Sequence, residues 1–212
     1  MLDLVLPTEC GGCGAPSVKW CELCSAAITV ATDEPHIVTP RVDPGVPVFA
    51  LGRYAGPRRQ AIVALKEHGR TDLVAPLAHA LAMGIHHLLG WGLLEVPLTI
   101  VPAPTRRQAA RRRGGDPVTR VATAAVATHP DIVVVQSLRM KALVRDSVGL
   151  STAARERNVA GRVLMTAKHL AVDRDVLVVD DIVTTGATVR ESVHVLQTAG
   201  LRVVGVLAVA AA

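Results

Sequence analysis

The chain has 212 residues, half of them hydrophobic and only 2% aromatic, with a formal charge of +5. Such a length fits one medium domain with a small appendage, and the shortage of aromatics requires a core of Ala, Val, Leu and Ile. The modest basic excess favours anionic ligands without singling out nucleic acid. No apolar run reads as long enough to span a bilayer, and MLDLVLPTEC lacks the basic and long apolar regions of a signal peptide, so the cytoplasm is the expected compartment.

All four cysteines come first. Cys10, Cys13, Cys21 and Cys24 form C-x2-C-x7-C-x2-C. Each C-x-x-C turns two thiolates toward one point, and two such knuckles supply four tetrahedral ligands. That donor set suits a structural zinc ion, with no open position for substrate. Disulfides are the rival reading, disfavoured in a reducing cytoplasm. Gly11, Gly12 and Gly14 give the first knuckle torsional freedom. Trp20, beside Cys21, reads as a cover for the knuckle rather than a platform for a base. Residues 31–48, rich in Pro, Asp and Thr, read as an irregular linker. The domain division that follows is a zinc-binding segment and linker over 1–45 and a main domain over 46–212.

The main domain alternates strands and helices. Phe49–Tyr54 reads as a strand. Arg58–His68 reads as a helix with Ile62, Leu65 and Lys66 on one face. Leu73–Leu89 reads as an Ala/Leu-rich helix stopped by Gly90. His86 and His87 are adjacent and do not share a helix face, so they read as ordinary histidines and not a metal pair. Lys66 and Glu67 read as surface or structural side chains rather than groups that orient a site. Leu98–Val101 is a short strand ending in Pro-Ala-Pro, and Thr105–Thr128 reads as a loop followed by a helix. That loop carries Arg106, Arg107, Arg111, Arg112 and Arg113. Arginine forks match phosphate oxygens, so the run is either a pyrophosphate site or a solvated basic face. Ile132–Val135 is another strand. A second basic stretch, Arg139–Arg162, places Lys141 and Arg145 either on a loop that closes over pyrophosphate or on a surface for acidic partners. Ser151 opens a helix, STAARERNV.

The segment Val176–Thr188, VLVVDDIVTTGAT, concentrates the chemistry. Val176–Val179 reads as a strand buried on both faces of a parallel sheet. Side chains alternate along a strand, so Asp180 and Asp181 serve one ligand only if the strand ends there and the chain bends. In open α/β sheets ligands bind at that carboxyl edge. A carboxylate accepts hydrogen bonds from vicinal hydroxyls, which suits a ribose. The turn Thr184, Thr185, Gly186, Ala187 and Thr188 then leads into a helix with Val189, Val193 and Leu196 at helical spacing, and Gly200 closes it. A helix N-terminus after such a turn suits a phosphate. Val203–Val209 is the final strand. The alternation predicts an α/β fold, a mostly parallel sheet flanked by helices.

VLVVDDIVTTGAT resembles the 5-phosphoribosyl 1-pyrophosphate (PRPP) motif of type I phosphoribosyltransferases. The four-cysteine segment, YAGPRRQAIVALKEHGR, IVPAPTRRQAARRRGG, LSTAARERNVAG and VLVVDDIVTTGATVRES together resemble the ComF-like competence branch of that superfamily. After RRRG the chain has Gly115, Asp116 and Pro117 where the branch usually has Phe-Asn-Gln. The resemblance implies PRPP bound with Mg2+, its ribose hydroxyls on Asp180 and Asp181 and its 5′-phosphate on Thr184–Thr188. It implies that Thr105, Arg106, Arg107 and Arg145 meet the pyrophosphate. The activity implied is phosphoribosyl transfer to an unknown nitrogenous acceptor. The alternative is a non-catalytic role in DNA uptake, contacting single-stranded DNA or a helicase partner. A homodimer and no membrane partner complete the expectation.

Overall fold

Val176, Leu177, Val178 and Val179 are at most 1% exposed, so the apolar run is covered on both sides. The computed structural model describes residues 8–105, 115–141, 161–166 and 173–212. In chain order the elements are helix α1 (Glu22–Ile28), strands β1 (His36–Ile37) and β2 (Val48–Ala50), and helix α2 (Gly56–Glu67). A short 3-10 turn (Thr71–Leu73) leads into α3 (Val74–Gly90), then β3 (Leu98–Pro102), α4 (Pro117–Ala125) and β4 (Ile132–Val134). After them come β5 (Leu138–Met140), β6 (Val163–Met165), β7 (Asp175–Val183), α5 (Ala187–Thr198) and β8 (Val203–Ala211).

The main sheet has the order β1-β2-β8-β7-β3-β4. From β2 to β4 every pairing is parallel, and β1 runs antiparallel to β2 at one edge. Strand alternation sorts the side chains into two cores. Leu98, Ile100, Leu177, Val179 and Leu207 face α2, α3 and α4. Val101, Val176, Val178, Val206 and Ala208 face α5 and the separate antiparallel pair β5–β6. The mostly parallel α/β expectation therefore holds, and β7 sits in the interior of the sheet with its carboxyl end at the edge that carries the Asp pair.

Several expectations change. β7 does not end at the acids: Asp180 lies opposite Ala208, Ile182 opposite Ala210 and Val183 opposite Ala211. The partner strand continues, so its ladder carries β7 through the Asp pair. Residues 31–48 are more than a linker, since they include β1, and Val38 N–H donates to Val48 C=O at 2.8 Å. β2 is shorter than the Phe49–Tyr54 reading, although Arg53 still bridges to Ala211. β5 and β6 had no counterpart in the sequence reading, and the helix expected from Ser151 lies outside the described residues. The stretch Thr71–Gly90 is 20 residues with mean hydropathy 1.4, so by length and composition it is apolar enough to cross a bilayer, contrary to the expectation above. In the fold that apolar character serves the core: Leu77, Leu81, Ile85 and Leu88 are buried against the sheet.

Gly84 sets how closely α3 approaches. A Cβ there would overlap Leu51 Cδ2, and Leu51 is fully buried with nowhere to retreat. Gly84→Val is expected to destabilise the fold by about 1–3 kcal/mol through overpacking, read as a lower urea midpoint with the far-UV spectrum retained. A midpoint equal to wild type would show that the helix can lift without cost.

Candidate functional site

The four cysteines converge. Their Sγ atoms all lie within 4.8 Å of one another, and Cys13 and Cys21 are 3.6 Å apart. Sulfurs around a tetrahedral zinc with Zn–S near 2.3 Å stand about 3.8 Å apart, so this set fits the ion and is too open for a disulfide. All four are free thiols. Burial pushes the Cys10 thiol up, but backbone donors from Cys13, Gly12 and Cys21 outweigh it and bring it down to about 6. Burial and the neighbouring sulfurs push the Cys24 thiol up. A dication would relieve that crowding, and Cys10, Cys13, Cys21 and Cys24 are the residues that would hold it, in a structural role. Gly12 is needed for closure, since a Cβ there would lie 2.5 Å from Cys24 Sγ and 2.9 Å from Trp20 Cζ3. Trp20 thus covers the knuckle. Gly11 packs on Leu73, and Arg70 Nη2 donates to the Lys19 carbonyl at 3.2 Å, which ties the knuckle to the start of α3.

At the carboxyl edge of β7 the two acids separate. Asp180 lines a cleft together with Ile182–Val189. Asp181 lines an apolar cavity on the other side, with Ile62, Leu65, Lys66, Val118 and Val209, and Asp180 reaches that cavity as well. Lys66 Nζ lies 2.6 Å from Asp181 Oδ2. Lys66 is therefore directed at the site, which its place among apolar α2 residues did not reveal. Asp181 N–H donates to Asp180 Oδ1 at 2.8 Å. Burial pushes the Asp180 carboxyl well above the usual carboxylate range. The Asp181 charge adds to the shift and Lys66 opposes it.

The turn Thr184–Thr188 borders the Asp180 cleft throughout. Gly186 takes the left-handed conformation (φ +85°) at the N-cap of α5, which favours glycine, and a Cβ there would lie 2.7 Å from Pro40 Cβ. Ala187 N–H reaches Thr185 Oγ1 at 3.3 Å, and Ser192 Oγ donates back to Thr188 C=O at 2.8 Å. One carboxylate and the N-terminus of a twelve-residue helix thus border a single cleft. The helix dipole favours an anion at the turn, and Asp180, one oxygen of which takes the Asp181 N–H, has a second oxygen for a hydroxyl beside it.

Thr105 stands at the same sheet edge, just past β3, yet lines neither cavity. Its hydroxyl donates to Asp116 Oδ1 at 2.9 Å. Asp116 is buried and N-caps α4, its Oδ2 accepting from Thr119 N–H at 3.0 Å and from the Thr119 hydroxyl. The Gly-Asp-Pro departure noted in the sequence is thus a helix cap that also fastens Thr105. Arg106, Arg107, Arg111, Arg112, Arg113 and Arg145 lie outside the described residues. Lys141 is described, and its Nζ donates to Gly161 C=O at 2.9 Å. The Gly161 N–H in turn meets both Glu191 oxygens, which docks the base of β5–β6 on α5. His87 Nδ1 is 2.7 Å from the Glu34 carbonyl, a structural bond in keeping with its expected ordinary role.

Residues 79–212 match the phosphoribosyl transferase domain family. The chain has no match among the curated proteins. Among solved structures, a hypoxanthine phosphoribosyltransferase from Staphylococcus aureus is similar at 17% identity with a TM-score of 0.33. That similarity covers 63% of this chain, and the chain spans 60% of that enzyme's length.

Two outcomes follow from the site chemistry. Purified protein is expected to carry close to one zinc per chain by elemental analysis, and Cys24→Ser to lose it; metal-free wild type with reduced thiols would refute the assignment. The second concerns pH. The raised Asp180 carboxyl keeps a proton in the folded chain that the unfolded chain releases at lower pH. Stability therefore falls as pH rises from the ordinary carboxylate range through the raised value. Asp180→Asn cannot ionise, so it is expected to exceed wild type in stability at neutral pH, by a margin that shrinks toward the carboxylate range. Denaturant midpoints at neutral and mildly acidic pH measure the margin, and one that stays constant with pH contradicts the reading.

Proposed function

The chain belongs to the phosphoribosyl transferase domain family, and from that premise we propose that it binds PRPP with Mg2+ and transfers the phosphoribosyl group to a nitrogenous acceptor. The observation that carries this is the cleft shared by Asp180 and the Thr184–Thr188 turn. Its two ends suit the two ends of a ribose 5-phosphate. Asp180 accepts the ribose hydroxyls, and Asp181 joins it on the approach of ligand, drawing on the Lys66 ion pair for its charge. The turn and the α5 N-terminus take the 5′-phosphate. Thr105, Arg106, Arg107 and Arg145 are our candidates for the pyrophosphate, the magnesium arriving as its counterion.

In the reaction the bond from C1′ to the pyrophosphate oxygen breaks and a bond from C1′ to the acceptor nitrogen forms. The acceptor nitrogen loses its proton, and pyrophosphate leaves with the bonding electrons. Positive charge grows at C1′ between these events. Fixed carboxylates beside the ribose favour that charge electrostatically, which is often the largest catalytic term. Within the family we assign the chain to the ComF-like branch. The support is a four-cysteine knuckle preceding a transferase domain, with residues 1–45 as the zinc-bearing segment and 46–212 as the transferase unit.

Calorimetric titration with PRPP and magnesium tests the site. Wild type is expected to bind, and the Asp180→Asn, Asp181→Asn double variant to lose affinity by at least tenfold while staying folded. Equal affinity in the two proteins would overturn the assignment of the acids.

A further inference from the structure

Lys66 enters the site from outside the portion that matches the family, since α2 precedes residue 79. Its place is fixed by the apolar face of its own helix. Ile62 and Leu65 are buried and line the same cavity as Asp181. The lysine stem follows that apolar surface and delivers Nζ to Asp181 Oδ2 at 2.6 Å. The two side chains are 27% and 16% exposed, so most of the pair is shielded from water. Charges interact more strongly there than on an open surface.

The walls around the two acids are otherwise uncharged. To the cavity beside Asp181, α3 gives Leu77, α4 gives Pro117, Val118 and Val121, and β8 gives Val209. Glu67, next to Lys66 on α2, is exposed and lies outside that lining. On the other face of β7, Ile182–Val189 border the Asp180 cleft and carry no charge. Among the described residues, Lys66 is therefore the one cation that lines either side of the acid pair. Burial and the Asp181 charge hold a proton on Asp180, and Lys66 opposes both. A hydroxyl donates to a carboxylate about twice as strongly as to a neutral acceptor. A ribose site built on Asp180 thus gains from a group that helps this carboxyl give up its proton.

We propose that Lys66 is a positioning residue for the ribose site: a built-in counterion that, paired with Asp181, lets Asp180 meet the ribose hydroxyls as a carboxylate. The proposal rests on the reading of the acids as the ribose contact and adds to it a residue from outside the family domain. Lys66 stays on Asp181 and acts on the ligand only through the acids.

PRPP with magnesium is titrated calorimetrically into the zinc-loaded full chain from mildly acidic to mildly alkaline pH. Each profile is referenced to Asp180→Asn, which cannot ionise at this position, so the ligand's own ionisation cancels. Relative to that variant, wild-type affinity is expected to rise with pH as Asp180 loses its proton. Lys66→Met is expected to bind about tenfold more weakly near neutral pH and to recover as pH rises, its profile displaced toward higher pH. Lys66→Gln is expected to match it, and Lys66→Arg to keep the wild-type profile. In the Asp180→Asn background, Lys66→Met is expected to cost little. A loss that is the same at every pH, or that persists in full beside Asp180→Asn, would overturn the counterion role while leaving the acids as the ribose contact. Wild-type affinity in both Lys66→Met and Lys66→Gln would do the same. A wild type that takes no PRPP would overturn the ribose reading and this one with it.

Discussion

Two adjacent carboxylates on a strand buried on both faces are the constraint to which the surrounding structure answers. Burial and the neighbouring Asp181 charge both oppose ionisation of Asp180. The fold divides the problem by side-chain alternation. Asp181 goes toward α2 and meets Lys66. Asp180 goes toward the start of α5, where the helix dipole is positive, and also accepts the backbone N–H of its neighbour. Alanines on β8 lie opposite, with Ala208 across from Asp180, and leave room that a larger side chain would fill. On the proposed reading, a ligand with hydroxyls, phosphate and counterion would relieve the tension that burial and the Asp181 charge place on Asp180. Such tension is characteristic of functional positions rather than of core.

The elements around the edge act as fasteners. Asp116 caps α4 and holds Thr105, so the end of β3 and the beginning of α4 are joined across the arginine-rich segment. Glu191 on α5 docks the β5–β6 pair through Gly161. Arg70 and Leu73 hold the knuckle at the head of α3. Each fastener is local, yet together they leave the carboxyl edge of the sheet ringed by segments whose ends are fixed.

The parts of the fold with strong local signals were legible in the sequence. Leu98–Val101, Val176–Val179 and Val203–Val209 were readable as buried strands because they are short, mostly β-branched or aliphatic runs with no charged residue. Arg58–His68 and Leu73–Leu89 were readable from helical spacing. The knuckle was legible because its ligand spacing is itself the geometry. What escaped was set by distant partners. The continuation of β7 to Val183 depends on β8, since a polar Asp pair looks like a strand end when read alone. β5 and β6 are three residues each and gain their strand character from each other. Lys66 sits at a helical position like any surface lysine, and only the crossing of α2 over β7 turns it toward Asp181. The segment between β1 and β2 is the clearest case: Pro, Asp and Thr composition reads as irregular chain, yet Val42 N–H on Thr185 C=O and Val206 N–H on Pro47 C=O hold it in place.

The edges of the sheet carry one more implication. At one side the last strand, β1, is only two residues long and runs against its neighbours; at the other, β4 is three residues long. Five parallel strands rich in Val, Leu and Ala make an adhesive template if their margins are long and flat. Here an incoming chain finds two or three residues to pair with and then nothing. Edge-to-edge pairing of so aliphatic a sheet is thereby limited at its described margins, by brevity on both sides and by reversed direction on one.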